Sequence, residues 1–424
     1  MIKRYLFQSL QNHLEKKEIT FIAGPRQAGK TTLMMLLKEQ LEKQGKKTVF
    51  LNLDIESDRQ FFISQGQLIR KIALEIGDKE GYVFMDEIQR KEDAGVFLKG
   101  LYDMNLPYKF IVSGSGSVEL KEHIHESLAG RKRMFELTTV TFIEFVDFKT
   151  DYKYEGKLFE FFALEKERTR GLFEEYLNFG GYPRVVLEET REEKRKVIAE
   201  LYQSYVERDI AYLLGVQKTE DFTALVKIMA SQIGSLVNIS ELSGTLGLSV
   251  ATIKNYLWYM QKTYLLEKVT PFFRNVRKEI TKSPMYYFYD LGMRNYTLGT
   301  FGNAVLTGEV GHLFENFIFN ILKEKIKDTA SQIHFWRTKD KGEVDFILSS
   351  GLKVIPIEVK YSQLKNPETT RSFQSFLSKY SSPKGYIIHL GTKMVDKIAG
   401  ATVYFLPYYE LLSPSSSLDF FTMA

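Results

Sequence analysis

The first 145 residues alternate between short apolar runs and amphipathic helical patterns. The apolar runs predict strands at Ile19–Ala23, Thr48–Asp54, Tyr82–Glu87 and Lys109–Ser115, and helical patterns lie between them at residues 32–38, 67–76 and 94–101. Strands that are apolar on both faces and joined by helices are typical of a parallel sheet. We therefore predict an α/β sheet with helices on both faces, and we expect ligands at the carboxyl ends of its strands.

Residues 150–300 carry mainly helical patterns. The stretch Asp151–Arg170 is charged and has few branched apolar residues, so it predicts a linker or an exposed helix. The pair Gly180-Gly181 predicts a rigid turn, because glycine accepts unusual backbone angles. A long helix is predicted next, over Glu192–Leu214.

A helix-turn-helix pattern follows at residues 239–257. We expect Gly247 to close its first helix and Ser249 to cap its second helix. Strand-like runs at residues 264–269 and 286–289 then suggest a winged helix. Two interpretations stay open: the second helix contacts DNA through Lys254 and Asn255, or the module serves only for packing.

The last 125 residues combine strands and helices in a second order. The pattern predicts a helix, three strands, a helix and a final strand, at Gly308–Ile321, His334–Arg337, Gly342–Leu348, Val354–Lys360, Arg371–Tyr380 and Gly385–His389. This region is therefore predicted to form its own α/β unit.

Composition limits the chemistry that the chain can carry. Its 424 residues, 44% of them apolar, are enough for several domains with a substantial core. There is no cysteine, which excludes disulfides and thiolate zinc sites. The six histidines show no pair at ligand spacing, so any metal should be Mg²⁺ or Mn²⁺ held by carboxylates. A net charge of +5 indicates no particular class of partner.

The start of the chain could be mistaken for a signal peptide. Leu6, Leu10 and Leu14 lie four residues apart with polar residues between them, which is typical of an amphipathic helix. No apolar run approaches the roughly 20 residues that a membrane span needs. We therefore expect a cytoplasmic protein that does not associate with a membrane.

The strongest motif lies between the first predicted strand and the first predicted helix. It reads Gly24-Pro25-Arg26-Gln27-Ala28-Gly29-Lys30-Thr31, followed by Thr32, and matches the G-x-x-x-x-G-K-[ST] phosphate-binding loop. Backbone N–H groups of this loop would cradle the phosphates, Lys30 would meet the β- and γ-oxygens, and Thr31 would ligate Mg²⁺. A chance match on a glycine-rich turn would lack the flanking strand and helix. We expect the chain to bind ATP with Mg²⁺.

The third predicted strand ends in two carboxylates, Asp86 and Glu87. Asp86 would hold Mg²⁺, and Glu87 would activate the attacking water. An extra strand between the two motifs and a glutamate after the metal aspartate favour an ATP-hydrolysing enzyme over a small nucleotide kinase. The alternative is an acidic pair that only ends a strand. Ser113, at the end of the next strand, could sense the γ-phosphate or simply belong to a Ser-Gly turn.

The segment Leu128–Arg133 contains a basic cluster after Gly130. Arg131 could stabilise the charge of the transition state, either within its own subunit or across a subunit interface. A basic turn on a solvated face would explain the same residues. Both interpretations stay open.

A second group of charged residues lies on the last predicted strands. Because side chains alternate along a strand, Glu343 and Asp345 should share one face, and Glu358 and Lys360 should share another. Two carboxylates on a metal, beside a lysine, suit phosphodiester hydrolysis. Asp345 and Glu358 would ligate Mg²⁺, Lys360 would position the hydroxide, and Glu315 could add a ligand from the preceding helix. The alternatives are an exposed charge pattern and a nuclease fold that no longer cleaves.

Taken in order, these motifs resemble one family of predicted bacterial and archaeal AAA+-type ATPases. The matching segments are G-P-R-Q-A-G-K-T-T, F-M-D-E-I-Q, V-S-G-S, L-A-G-R, F-G-G-Y-P-R, Y-V-E-R-D-I, G-H-L-F-E-N-F, G-E-V-D-F and I-E-V-K. The resemblance implies an N-terminal ATPase joined to a C-terminal region with a PD-(D/E)xK, restriction-endonuclease-like α/β fold. In place of the family's "PD" the chain reads Val344-Asp345, which keeps the metal-binding aspartate and leaves cleavage inferred.

We accordingly expect four regions: a P-loop ATPase domain at 1–150, a helical linker region at 151–235, a winged helix at 236–300 and a nuclease-like domain at 301–424. The predicted function is a Mg²⁺-dependent ATPase coupled to a nucleic-acid-directed module, with DNA as the partner and DNA cleavage or processing as the output. The rival prediction is a regulatory or scaffold protein that ATP switches and whose nuclease fold is inactive. A ring motor is a third, in which Arg131 would reach the next subunit of a homo-oligomer.

Overall fold

The computed structural model describes residues 1–115, 128–205, 220–274, 279, 282–338, 340 and 342–412. Most of the Y-V-E-R-D-I segment, at residues 206–210, lies outside the described residues. The second half of the helix predicted over Glu192–Leu214 lies outside them as well. The elements below are numbered along the described part of the chain.

The N-terminal region is built on a five-stranded sheet. Its strands are β1 (Ile19–Gly24), β2 (Thr48–Asn52), β3 (Gly81–Asp86), β4 (Tyr108–Ser115) and β5 (Lys132–Glu136). They are parallel, in the order β2-β3-β4-β1-β5, so the extra strand β4 separates β1 from β3. Helices of this region are α1 (Leu6–Asn12), α2 (Lys30–Lys43), α3 (Glu56–Arg59), α4 (Gln65–Ile76) and α5 (Ala94–Asp103). The predicted α/β sheet is confirmed, and the carboxyl ends of β1, β3 and β4 meet at one edge.

The sequence pattern missed strand β5. A basic turn was one of our two interpretations of Leu128–Arg133, and neither included a strand, but β5 begins at Lys132 and pairs in parallel with β1. Only Phe135 in this strand is buried, because β5 lies at the edge of the sheet. An edge strand needs few apolar residues, which is why its pattern resembled a loop.

The middle region is helical. Its helices are α6 (Phe142–Lys149), α7 (Leu158–Leu164), α8 (Lys166–Phe179), α9 (Pro183–Leu187), α10 (Arg191–Ser204) and α11 (Glu220–Ser231). The prediction of a linker or exposed helix over Asp151–Arg170 is confirmed in part: most of the stretch is exposed, but Phe161 and Phe162 on α7 are buried in the core. Large aromatic side chains supply this core, and a count of branched apolar residues overlooks them.

The helix-turn-helix is present as predicted. Helices α12 (Ile239–Leu246) and α13 (Val250–Lys262) flank Gly247, which closes α12 at a φ of +65°. The Ser249 hydroxyl accepts a hydrogen bond of 3.0 Å from the Thr252 N–H and caps α13. Strands β6 (Leu266–Pro271) and β7 (Met285–Phe288) then form an antiparallel pair.

The hairpin of β6 and β7 continues into a larger C-terminal sheet. The remaining elements are α14 (Leu291–Thr297), α15 (Val310–Ile326), β8 (Gln332–Arg337), β9 (Glu343–Ser350), β10 (Lys353–Val359), α16 (Arg371–Tyr380), β11 (Lys384–His389), β12 (Met394–Ile398) and β13 (Ala401–Pro407). The strand order β12-β13-β11-β10-β9-β8-β6-β7 makes one mixed sheet of eight strands. A parallel contact between β6 and β8 joins its two parts across the boundary predicted at residue 300.

One hydrophobic core joins the middle and C-terminal regions. The rings of Phe142 on α6 and Phe317 on α15 lie 5.4 Å apart, edge to face. Phe346 and Ile357 of the C-terminal sheet belong to the same buried cluster. Helix α6, which follows strand β5 in the chain, is therefore anchored in the C-terminal region by packing.

Across the described ranges, no helix is both long and apolar enough to cross a membrane.

Candidate functional site

The phosphate-binding loop lies at the carboxyl end of β1. A Cβ added to Gly24 would stand 2.0 Å from the carbonyl oxygen of Leu137, so only glycine fits there. Gly29 has a φ of +95° and precedes the first residue of α2. These two glycines let the loop turn sharply and bring its N–H groups to the start of the helix.

Lys30 is buried inside this loop. Its ammonium group donates hydrogen bonds of 3.1 Å to the Gly24 carbonyl and 2.8 Å to the Pro25 carbonyl. The charge is therefore held at the position where the motif requires it, within reach of any anion that the loop cradles.

Thr31 and Asp86 bring the two motifs into contact. The Thr31 hydroxyl donates a hydrogen bond of 2.6 Å to Oδ2 of Asp86, which is fully buried. The Ser113 hydroxyl donates to the other oxygen, Oδ1. A hydroxyl and a carboxylate side by side form the oxygen-rich donor set that Mg²⁺ prefers, so these residues fit the ion that the motifs imply.

Glu87 follows at the edge of the same cluster. Its N–H donates to Asp86 Oδ1 at 3.1 Å and to Ser113 Oγ at 3.4 Å. Its φ of +56° is uncommon for a residue other than glycine. The Gln89 amide donates to the Glu87 carboxylate, and Gln89 Oε1 accepts from the Ser115 N–H at 3.2 Å. Gln89 therefore orients the predicted base, a role that the sequence analysis did not assign.

Two arginines outside the motif contact the loop. Arg4 donates 2.8 Å to the Ala28 carbonyl, and Arg184 donates 3.3 Å to Oε1 of Gln27. Arg184 also pairs with Glu200 at 2.9 Å. Arg4 precedes the loop by 24 residues and Arg184 follows it by 157, so no local spacing connects them with it.

Arg131 lies far from the phosphate loop of its own subunit. Its carbonyl accepts from the Ile19 N–H, which places it at the amino end of β1, five strand residues or about 16 Å from Gly24. Its guanidinium pairs with Asp103 at 2.8 Å and lowers the pKa of that carboxyl. The interpretation of Arg131 as a finger for its own subunit is therefore wrong. A role across a subunit interface stays a prediction.

In the C-terminal region, Asp345 lies at an irregularity of strand β9. The register shifts between His334–Ile347 and Trp336–Val344, so β9 carries one extra residue there and the simple alternation of faces is broken. Oδ2 of Asp345 accepts 2.7 Å from the N–H of Val359 on the adjacent strand β10. The carboxylate therefore reaches across to the end of β10.

Glu358 and Lys360 stand close together at that end. Lys360 Nζ lies 2.6 Å from Glu358 Oε1, and the Thr370 hydroxyl donates 2.9 Å to Oε2. Glu358 is buried, whereas the lysine side chain is 42% exposed. The carboxylate is thus fixed and the ammonium can reach solvent.

Glu315 faces this group from α15. The Tyr287 hydroxyl donates 2.5 Å to its Oε1, and His312 Nδ1 lies 3.6 Å from its Oε2. The hydrogen bond to Glu315 raises the pKa of His312 above its usual value. Glu315 therefore accepts a hydrogen bond from Tyr287 and lies within ion-pair distance of His312.

The charges of the C-terminal group influence one another. Burial raises the pKa of Asp345 well above its usual range, and the carboxylates of Glu315 and Glu358 raise it further. Burial lowers the pKa of Lys360, but Glu358 and Asp345 outweigh that effect and leave it raised. The structure thus brings together the acids and the lysine that the sequence singled out.

A metal centre is not preformed among them. Across the part of the chain that the structure describes, no three acidic or histidine side chains are arranged to hold a metal ion. In each of the three acids, one carboxylate oxygen accepts a hydrogen bond from the protein: this holds for Asp345, Glu358 and Glu315. As arranged, these residues do not fit a three-ligand metal, and the predicted Mg²⁺ ligation by them stays a prediction.

Comparison with known proteins divides the chain into three matched parts. Residues 16–146 match the family model described as "AAA domain". Residues 170–304 and 310–411 each match a model described as a domain of unknown function (DUF8612 and DUF4143). An AAA-type match over the sheet that carries the phosphate loop agrees with its P-loop architecture.

Several relatives are similar over most of the chain. An uncharacterized protein of Haemophilus influenzae is 24% identical, with 88% of this chain and 90% of that protein covered. An uncharacterized protein of Mycobacterium tuberculosis is 25% identical, with 96% and 84% covered. One from Methanocaldococcus jannaschii is 25% identical, with 87% and 80% covered.

Among solved structures, Orc1 of Aeropyrum pernix in complex with DNA is 12% identical, with a TM-score of 0.32 and 72% of this chain and 95% of that chain covered. AMPPCP-bound DnaA of Aquifex aeolicus is 13% identical, with a TM-score of 0.28 and 60% and 86% covered. TM-scores this low do not establish a common function. The chain is thus similar to uncharacterized bacterial and archaeal proteins, and its N-terminal sheet matches the AAA domain model.

Proposed function

We propose that the protein binds and hydrolyses ATP at the carboxyl edge of its five-stranded sheet. The observation that carries the proposal is the 2.6 Å contact between Thr31 and Asp86, with Glu87 directly after Asp86 in the chain. A phosphate cradle, a hydroxyl-carboxylate pair and a second carboxylate are the parts that phosphoryl transfer to water requires.

Each residue has a distinct task in this proposal. Backbone N–H groups of the phosphate loop bind the phosphates at the start of α2. Lys30 exchanges its contacts with the Gly24 and Pro25 carbonyls for phosphate oxygens. Thr31 and Asp86 would hold Mg²⁺, which when bound neutralises charge on the phosphate oxygens.

Glu87 is the proposed general base. Its carboxylate is half-buried and is oriented by the Gln89 amide, so it can accept a proton from a water placed beside the γ-phosphate. The Ser113 hydroxyl is hydrogen-bonded to Asp86 and to the Glu87 N–H. It would hold the two acids in a fixed position relative to each other. Arg184, bonded to Gln27, would move with the loop and bring positive charge towards the phosphates.

For the C-terminal region we propose an activity directed at DNA, with strand cleavage as its output. The support is the convergence of Asp345, Glu358 and Lys360 at the adjoining ends of β9 and β10. Lys360 is the group that solvent and a phosphodiester can reach, so it would bind the backbone of the nucleic acid. The exposed residues Lys254 and Asn255 on α13 would add contacts to DNA.

A second function is favoured by one further observation. Both oxygens of the Glu358 carboxylate already have partners, Lys360 and Thr370. One oxygen of Glu315 accepts a hydrogen bond from Tyr287. A site whose acids are all occupied by the protein suits a domain that no longer cleaves. In this second proposal ATP switches a regulatory protein, and the C-terminal region serves as a docking surface.

The ATPase proposal is tested with two variants. Lys30→Ala should abolish binding of a fluorescent ATP analogue, because the cradle loses its point charge. Glu87→Gln should bind the analogue like the unmodified protein and release no phosphate, because only water activation is removed. Turnover by Glu87→Gln at the unmodified rate would show that the base is wrongly assigned.

Plasmid nicking separates the two C-terminal proposals. The purified protein is incubated with supercoiled plasmid and Mg²⁺ or Mn²⁺, beside Glu358→Gln and Lys360→Met. Cleavage that both variants lose while they keep ATP hydrolysis supports the nuclease. No cleavage by the unmodified protein, together with ATP hydrolysis, supports the regulatory function.

A further inference from the structure

Arg4 binds four acceptors from three separate segments of the chain. Its Nη1 donates 2.8 Å to the Ala28 carbonyl of the phosphate loop. Its Nη2 donates 2.8 Å and 3.1 Å to the carbonyls of Thr138 and Thr139. Its Nε lies 3.1 Å from Glu144, and the side chain is only 8% exposed. A planar guanidinium can serve all of these acceptors at once, whereas an ammonium cannot reach them in the same geometry.

The contact with Ala28 bears on nucleotide binding. The Ala28 carbonyl and the Gly29 N–H belong to one planar peptide group and point in opposite directions. A donor that holds the carbonyl outward therefore turns the Gly29 N–H inward, towards the phosphates. Arg4 is thereby placed to shape the cradle without touching the nucleotide.

The other acceptors of Arg4 belong to the connection between β5 and α6 and to the first turn of α6. Within it, the Val140 N–H donates 2.7 Å to the Gly181 carbonyl, and the Tyr176 hydroxyl donates 2.8 Å to the Val140 carbonyl. Glu144 lies on α6 and forms a capping box with Thr141 at the start of that helix. The connection is thus bonded to the middle region on one side and to Arg4 on the other.

The same connection leads to the packed contact between Phe142 and Phe317. Beside it lies a cleft of about 1040 Å³, lined by Arg4, Thr139 and Glu144 from one side and by Phe317 and Lys327 from the other. A cleft of this size between two regions leaves room for one to shift against the other. The described contacts therefore run from the phosphate loop, through Arg4, to the border of that cleft.

We infer that Arg4 is a positioning residue that couples the state of the phosphate loop to the interface between the ATPase sheet and the C-terminal region. This inference rests on the proposed binding of ATP. A nucleotide that reorders the Ala28–Gly29 peptide moves the acceptor of Arg4, and the shared guanidinium passes that movement to Thr138, Thr139 and Glu144. An arginine with only a structural role would affect stability and leave both nucleotide affinity and its effect on α6 unchanged.

Arg4→Lys and Glu144→Gln test the two sides of the link. Affinity is measured with a fluorescent ATP analogue at 20 °C, and hydrogen exchange of residues 140–149 is measured with and without saturating ATP analogue. Arg4→Lys should weaken binding by about tenfold, which is about 1.4 kcal/mol, because the Ala28–Gly29 peptide is no longer held with its N–H towards the phosphates. It should also remove the nucleotide-dependent change in exchange.

Glu144→Gln keeps the capping box, because glutamine serves in that position too. It removes the charge of the ion pair with Arg4 and one of the two oxygens, of which Oε1 accepts from the Tyr5 N–H. It should bind the analogue nearly as well as the unmodified protein and show at least a twofold smaller change in exchange. Lys3→Ala is the matched control, because Lys3 precedes Arg4 in the chain and pairs at the surface with Tyr152 and Glu155.

The outcomes separate the proposals. Unchanged affinity and unchanged exchange response in Arg4→Lys would overturn the inference, even if the variant melts earlier. If Arg4→Lys does not fold, a full exchange response in Glu144→Gln would overturn it. Absence of nucleotide binding by the unmodified protein would instead overturn the proposed ATPase, and the inference with it.

Discussion

Gly234 lies directly against the carboxylate of Glu315. A Cβ added to Gly234 would stand 2.9 Å from Oε1 and 3.1 Å from Oε2, and the glycine has a φ of +67°. Gly234 belongs to the turn between α11 and α12, so the middle region covers the glutamate of the C-terminal group. Any ligand that approached Glu315 from this side would have to displace the turn.

Gly234→Ala should lower the unfolding temperature by more than the backbone strain of an alanine at positive φ explains. A non-glycine residue at positive φ costs about 1–2 kcal/mol, and the contact with Glu315 adds to that cost. Gly247→Ala is the matched control, because Gly247 has a φ of +65° and open space around its Cα. Thermal unfolding of both variants, and of Gly234→Ala/Glu315→Ala, should show an excess loss that disappears in the double variant. Equal losses in the two single variants would contradict the close contact.

Arg184→Ala should weaken ATP binding by about tenfold. The guanidinium is bonded to Gln27 of the loop and, once near a phosphate, would contribute a charge-assisted bond of about 1.5–3 kcal/mol. Titration with a fluorescent ATP analogue measures the effect. Arg191→Ala, at an exposed arginine that begins the next long helix, should bind normally. If the affinity for the analogue changes by less than twofold in Arg184→Ala, the arginine does not contribute to ATP binding and its role is the surface ion pair with Glu200.

Arg131→Ala should reduce ATP turnover on the order of 10³-fold if the side chain acts on a neighbouring subunit. Asp103→Ala, which releases Arg131 from its ion pair, should leave turnover unchanged. Mixing Arg131→Ala with Lys30→Ala protein should restore activity, because each would supply what the other lacks. A few-fold loss with no restoration would place Arg131 among the surface residues.

Lys132→Met should raise the unfolding temperature at pH 7. The Lys132 ammonium is buried and has no hydrogen-bond partner among the described residues, and burial lowers its pKa to about 8. In the unfolded chain its pKa is about 10.4. Burying the charged ammonium therefore lowers the free energy of unfolding by its full amount below pH 8, and this loss shrinks as the pH rises to about 10.4.

The advantage of Lys132→Met should therefore be largest at pH 7 and fade between pH 8 and pH 10. Thermal unfolding across that range measures it, with Lys268→Met at an exposed strand position as the control. An advantage that does not depend on pH would show that methionine acts by packing and that the charge was not penalised.

The parts that local sequence could predict are those whose residues are neighbours in the chain. The loop at residues 24–31 has its strand before it and its helix after it, so its position and shape follow from one continuous segment. Helix α16 begins and ends at Arg371 and Tyr380, as its pattern predicts, because its apolar residues recur with helical spacing.

The remaining contacts depend on folding distant segments together. Arg4 meets Thr138 and Glu144, more than 130 residues away, and Gly234 meets Glu315 from another region of the chain. The extra residue in β9 is equally invisible to a period of two, because a bulge is set by the neighbouring strands. The position of Arg131 could not be predicted for a related reason. The motif points to the residue, but only the pairing of β5 with β1 shows at which end of the sheet it lies.

The contact between Phe142 and Phe317 has a consequence for how the molecule comes apart. A fragment that ended at residue 150 would present the phenylalanines of α6 to water, and the complementary fragment would lose the surface that seals its interior. Neither piece is then expected to stay monodisperse on its own. A calorimetric scan of the intact chain should accordingly give a single heat-absorption peak for both regions. Destabilising substitutions in one region should also expose the core of the other region and lower its solubility.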